Sequence, residues 1–128
     1  MVLDDGTFSQ YSIVYHRMLL DLLSILELFR QKYQGSRFAK QFKRKVELAV
    51  SWYENMIDPI SGDASNIGGN DGTYLFNYDQ KEYRDFRPTL NFICSIFKIK
   101  IRKDLVSGHC LLSVFNLPPA RLKKRKIE

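Results

Sequence analysis

One long apolar stripe near the start of the chain constrains the fold more than any other feature. Tyr11, Val14, Tyr15, Met18, Leu22, Ile25, Leu26, Phe29 and Tyr33 recur at spacings of three and four, the signature of one helix face held for about six turns. The pattern predicts a helix over residues 10–33, capped by Thr7 or Ser9 and closed by a left-handed Gly35. Ile13, Leu19, Leu20, Leu23 and Leu28 add apolar surface away from the stripe. A helix apolar on most sides requires neighbours on most sides.

A second stripe follows at once. Phe38, Phe42, Val46, Ala49, Trp52 or Tyr53, and Met56 share a face opposite Lys40, Lys43, Arg44 and Glu47, predicting a helix over 36–57 that Ser36 caps. It ends there because Pro59 drives Asp58 out of helical geometry. The short connection predicts a hairpin of adjacent helices, with Trp52 in the core. Residues 58–73, DPISGDASNIGGNDGT, carry four glycines and no apolar period, so they read as a long loop, a kind that is disproportionately functional. Pro88 suits the first turn of a third helix over about 88–98, through Leu90, Ile93, Cys94 and Phe97. Ile99 and Ile101 suggest a short extended exit, and 111–115 a short helix before Pro118 and Pro119. The fold class is therefore all-α, with an irregular, basic C-terminus.

Charge adds little. The chain of 128 residues carries a formal +6, but Arg121, Lys123, Lys124, Arg125 and Lys126 against Glu128 account for most of it. No aromatic side chain is interleaved there to stack on bases, so nucleic acid is not the expected partner, and 118–128 reads as a solvated, disordered basic tail after a domain at 1–117. Cys94 and Cys110 form no CxxC pair, and His16 and His109 fit no HExxH arrangement, so neither a metal nor another cofactor is indicated. Asp21, Ser24 and Glu27 interrupt the most apolar run, which excludes a membrane span there. Residues 1–8 lack the positive start of a secretory signal, and the compartment stays open.

Three segments in order, DGTFSQYSIVYHRMLLDLL, DPISGDASNIGGNDG and YRDFRPTLNFICSIF, resemble the helical domain of heparinase II/III-like proteins, a group that includes lyases of heparin and alginate. The likeness covers residues 4 to 97 and fades beyond. It implies a partial α/α toroid whose helix N-termini and loops line a cleft for an acidic polysaccharide, and it allows a bacterial periplasmic setting. Tyr15, followed by His16, stands where the family has its catalytic tyrosine, and the implied reaction is β-elimination beside a uronate carboxylate. A phenol can serve there as base, if a cation lowers its pKa, or as the acid that protonates the leaving oxygen. The family's carboxylate-neutralising group comes from an earlier helix and a further histidine from a later β-rich part. Neither is in this chain, so it is expected to be a fragment that is inactive by itself.

Asn70 and Asp71 in the glycine-rich loop, and Arg84 and Arg87 before the third helix, are the candidate substrate-binding residues. Plainer readings stand beside these. Tyr15 on an apolar stripe is ordinarily a core residue with its hydroxyl at the edge, and His16 a helix-face histidine. Asp63, Asn66, Asn70 and Asp71 make turns and lack the EF-hand order, and Arg84, Asp85 and Arg87 can form a local ion-pair network. The alternative function is a non-catalytic helical module that binds an acidic glycan or a protein. With only three helices to cover an apolar first one, exposed apolar surface and self-association are also expected.

Overall fold

The computed structural model describes residues 1–76, 82–107 and 110–124. The molecule is mainly helical: α1 (Ile13–Lys32), α2 (Lys40–Met56), α3 (Arg87–Phe97) and α4 (Cys110–Val114), with a 3-10 turn at Lys103–Leu105. Extended pairing among the described residues is limited to isolated bridges, Val2 with Phe8, Ile57 with Ala64 and Ile101 with Leu122. None of the described helices is long and apolar enough to cross a membrane.

Helix ends depart from expectation by a few residues, each for a local reason. Tyr11 adopts a left-handed φ of 49°, which delays the start of α1. Ser12, rather than Thr7 or Ser9, then caps it by accepting from the Tyr15 N–H. At the other end Gln34 and not Gly35 takes the left-handed turn, with φ 52°, and the Gly35 N–H reaches back to the Arg30 carbonyl at 2.8 Å, a Schellman-type closure. Ser36 caps nothing, because α2 begins only at Lys40 with Ala39 before it. Its end at Met56, just ahead of Asp58 and Pro59, is as expected.

The packing inverts the sequence pattern of α1. Its buried residues are Ile13, Val14, His16, Arg17, Leu20, Asp21, Ser24 and Glu27. The apolar stripe instead faces outward, with Leu22 at 49%, Phe29 at 55% and Tyr33 at 68% exposure. The helix surrounded on nearly all sides is α3, whose residues from Pro88 to Ile96 are all buried. It is also the main neighbour of α1, ahead of α2. The polar groups of α3 serve as ties: Asn91 Nδ2 donates to the Arg87 and Leu105 carbonyls, and the Ser95 hydroxyl donates to the Pro118 carbonyl. Val46, Ala49, Val50 and Tyr53 bring α2 into the same core, and Trp52 packs against its edge.

Arg17 explains why α1 turns this way. Its guanidinium, 1% exposed as a residue, donates to the Tyr83 carbonyl at 2.7 Å and the Thr73 carbonyl at 3.0 Å. The Tyr74, Tyr83 and Phe86 rings surround it at 4.5, 4.6 and 4.8 Å from their centroids. A desolvated cation–π contact is worth about 2 kcal/mol, and Asp21, one turn further on, is buried as well. Three aromatic faces and two carbonyls thus replace water around the charge, which an exterior position on α1 does not offer.

His16 belongs to this interior as well. It is fully buried, with Nε2 2.9 Å from the Ala49 carbonyl and its ring stacked on Trp52 and Tyr53 at 4.7 and 5.6 Å. Burial pushes its pKa down from 6.5 to about 4.

The segment read as a basic tail lies partly against the core. The Ile101 N–H donates to the Arg121 carbonyl and the Lys123 N–H to the Ile101 carbonyl, both at 2.8 Å. Glu54, 2% exposed, accepts from the Arg102 N–H at 2.9 Å and from the Lys123 ammonium. Residues 125–128 lie outside the described residues.

Two outcomes test this core. Arg17→Ala leaves the ring cage empty and the Thr73 and Tyr83 carbonyls without their donor, and should lower unfolding free energy by about 3–5 kcal/mol in urea titrations; a loss below about 1 kcal/mol would contradict the cage. For His16, the unfolded chain takes up a proton near pH 6.5 and the folded one only near 4, so stability should fall by about 3 kcal/mol as pH drops through that window. His16→Phe should flatten this part of the pH profile; an unchanged slope would show that other groups produce it.

Candidate functional site

The glycine-rich loop folds onto the N-terminal end of α1. The Ile13 N–H donates to the Ile67 carbonyl at 3.1 Å, and the Ser12 hydroxyl to the Gly69 carbonyl at 2.6 Å. Close approach here demands glycine: at Gly68, with φ 73°, a Cβ would sit 2.0 Å from the Tyr11 carbonyl oxygen. Backbone-on-backbone contact carries the loop over the first turn of the helix and delivers Asp71 to Tyr15.

Tyr15 is half-buried, and its hydroxyl donates to Asp71 Oδ2 at 2.6 Å across 56 positions of sequence. The other Asp71 oxygen accepts from the Thr73 N–H at 3.0 Å and from the Thr73 hydroxyl. These bonds hold the Asp71 pKa down to about 2, the Thr73 hydroxyl contributing most and Tyr15 next. Reciprocally, the bond to Asp71 and its negative charge raise the Tyr15 pKa. The pair is therefore a phenol that keeps its proton beside a carboxylate that stays charged.

The wall continues away from Tyr15. Asn70 Oδ1 accepts from the Tyr83 hydroxyl at 2.7 Å and from the Gly72 N–H at 3.1 Å, while its Nδ2 donates to Asn66 Oδ1 at 3.1 Å. Arg84 donates to the same Asn66 oxygen at 3.4 Å and to the Ala64 carbonyl at 2.5 Å, and pairs with Asp63 at 2.6 Å. Tyr15, Asp71, Asn70, Tyr83, Asn66 and Arg84 thus form one exposed run of phenol, carboxylate, amide and guanidinium groups. Arg17 lies beneath it and fastens both margins, holding the Thr73 carbonyl on one side and the Tyr83 carbonyl on the other.

Of the six residues picked from the sequence, Tyr15, Asn70, Asp71 and Arg84 come together on this surface. His16 does not: it points about 100° further round α1, into the rings of α2. Arg87 also stands apart, its guanidinium paired with Asp85 at 2.8 and 2.9 Å and packed over Gly62, where a Cβ would come within 2.4 Å of Arg87 Nε. It is a strut of the loop, the local ion pair of the plainer reading.

Tyr83, Thr73 and Arg17 were not picked out from the sequence. Arg17 left a usable signal, a charged pair Arg17 and Asp21 at i, i+4 within an otherwise apolar helix. Tyr83 and Thr73 left none, because their roles follow from where the loop lands. No group of three or more His, Cys, Asp or Glu placed to hold a metal ion is found among the described residues. Comparison with protein-family models, with curated proteins and with solved structures finds no match to this chain.

Proposed function

We propose that the chain is the helical, sugar-facing part of a heparinase II/III-like polysaccharide lyase, and that Tyr15 and Asp71 stand on the wall that meets a uronate-containing chain. One observation carries this reading. The phenol of the motif tyrosine is at the surface, and the glycine-rich loop of the second resembling segment places a carboxylate on it at 2.6 Å. Hydroxyls, amides and a carboxylate at close spacing suit the hydroxyl groups of a sugar, which both donate and accept.

The electrostatics favour one half of the chemistry over the other. β-Elimination removes the proton beside the uronate carboxylate and expels the glycosidic oxygen from the neighbouring carbon, with a proton needed on that oxygen. A base role for Tyr15 requires a lowered pKa, and Asp71 raises it. Proton donation to the leaving oxygen needs only the protonated phenol, which this arrangement keeps. Abstraction of the carbon-bound proton is then the task of another group, and neutralising the uronate carboxylate requires further donors. The two cations picked from the sequence are already engaged, Arg84 with Asp63 and Arg87 with Asp85. The chain alone is therefore expected to bind without turnover.

The alternative, a non-catalytic module that attracts polyanions by its basic C-terminus, is separated by the same experiment. Titration calorimetry with heparin- and alginate-derived oligosaccharides near physiological salt should show binding that Tyr15→Phe and Asp71→Asn each weaken about 2–10-fold, the worth of one hydrogen bond. Replacing Arg125 and Lys126 by Gln should leave it unchanged. Binding lost with Arg125 and Lys126 but indifferent to Tyr15 and Asp71 would establish the electrostatic module instead. Ultraviolet absorbance should show no unsaturated uronate forming; turnover by the chain would overturn the assignment of Tyr15 to the acid half alone. In ultraviolet titration, Asp71→Asn should let Tyr15 ionise at lower pH; an unmoved titration would mean that the pair does not exist in solution.

A further inference from the structure

The outward face of α1 is the largest unexplained feature of the molecule. Tyr11, Leu22, Leu26, Phe29 and Tyr33 are 60, 49, 48, 55 and 68% exposed, with Tyr15 and Met18 half-buried between them. Tyr11 precedes the helix; from Tyr15 to Tyr33 the spacing of three, four, four, three and four is close to a heptad seam, the narrow stripe that packs against one other helix.

We propose that this seam joins two copies of the chain, α1 against α1 and antiparallel, about a two-fold axis at Leu22. The seam is self-complementary about that residue. Met18 and Leu26 lie four positions either side of it, and Tyr15 and Phe29 seven. An isologous contact needs this property, since each residue must find on the second copy the partner that its own counterpart finds on the first. Turned antiparallel, Leu22 meets Leu22, Met18 meets Leu26, and Tyr15 meets Phe29, which already stacks on Tyr33 at 6.0 Å.

Area and charge agree with a second copy as the occupant. An aromatic side chain offers about 200 Å², so Phe29 and Tyr33, each more than half exposed, with two half-exposed leucines and the accessible parts of Tyr15 and Met18, present about 500 Å² per copy. Two copies would bury about 1,000 Å², at the low end for a specific contact. Antiparallel helices also oppose their dipoles favourably, and the arrangement carries the exposed Lys32 at the C-terminal end of one α1 toward the charged Asp71 beside Tyr15 of the other. The second copy would then form one edge of the surface on which Tyr15 stands. This inference uses the packing of α1 alone and holds whether or not that surface binds a sugar.

Sedimentation or light scattering over a micromolar to millimolar dilution series should find a species of twice the 15.0 kDa chain mass. Leu22→Glu, which sets two carboxylates face to face on the axis, should leave only monomer with the same far-ultraviolet circular dichroism. Leu22→Cys should oxidise to one cross-linked dimer that the parent chain does not form, whereas Leu26→Cys should cross-link only when mixed with Met18→Cys. A monomer at every concentration, open-ended association that Leu22→Glu leaves intact, or a Leu22→Cys chain that fails to cross-link would each overturn the proposal.

Discussion

The burial of one cation organises this molecule. Arg17 sits inside three aromatic rings and bonds to two backbone carbonyls that are distant in sequence, Thr73 and Tyr83. Removing a guanidinium from water is costly unless each of its donors and both of its faces are met. Meeting them requires the glycine-rich loop, the segment before α3 and α1 to converge at one place. Convergence in turn fixes the rotation of α1 about its own axis, so that its charged and hydroxyl-bearing side faces the core. Its apolar stripe is left outside as a consequence.

From that single orientation the functional surface follows. With Arg17 pointing inward, Tyr15 is carried to the margin of the buried zone, its ring packed and its hydroxyl free to meet the loop. The same Thr73 whose carbonyl accepts from Arg17 uses its hydroxyl and N–H to hold Asp71, and Asp71 holds Tyr15. Core and site are therefore joined through Thr73, whose carbonyl accepts from the guanidinium and whose hydroxyl and N–H donate to the carboxylate that the phenol also meets. Loosening the buried end of that connection should be felt at its exposed end.

Much of the architecture was legible in the sequence because it rests on periodicity and on backbone-breaking residues. The helices at 13–32, 40–56 and 87–97 fall close to the positions that apolar spacing, Pro59 and Pro88 imply, and the glycine-rich run is a loop. What could not be read was direction. Hydropathy ranks Leu22 and Phe29 above Arg17 and Asp21, and it carries no term for a cage of aromatic rings assembled from residues 74, 83 and 86. The same blindness explains the site residues. Tyr15 and Asp71 lie on segments with recognisable motifs, whereas Tyr83 and Thr73 matter only through the place where the loop is set down. His16 shared the motif of its neighbour yet points about 100° further round α1, as adjacent residues on a helix must.

The most direct test of this account is nuclear magnetic resonance of the Arg17 side chain. Enclosed between ring faces and bonded to two carbonyls, its guanidinium protons should resonate well upfield of those of exposed arginines and exchange with water slowly enough to be seen at neutral pH. Fast exchange at ordinary shifts would mean that Arg17 is in solvent, that α1 is rotated the other way, and that the surface around Tyr15 is not assembled as described.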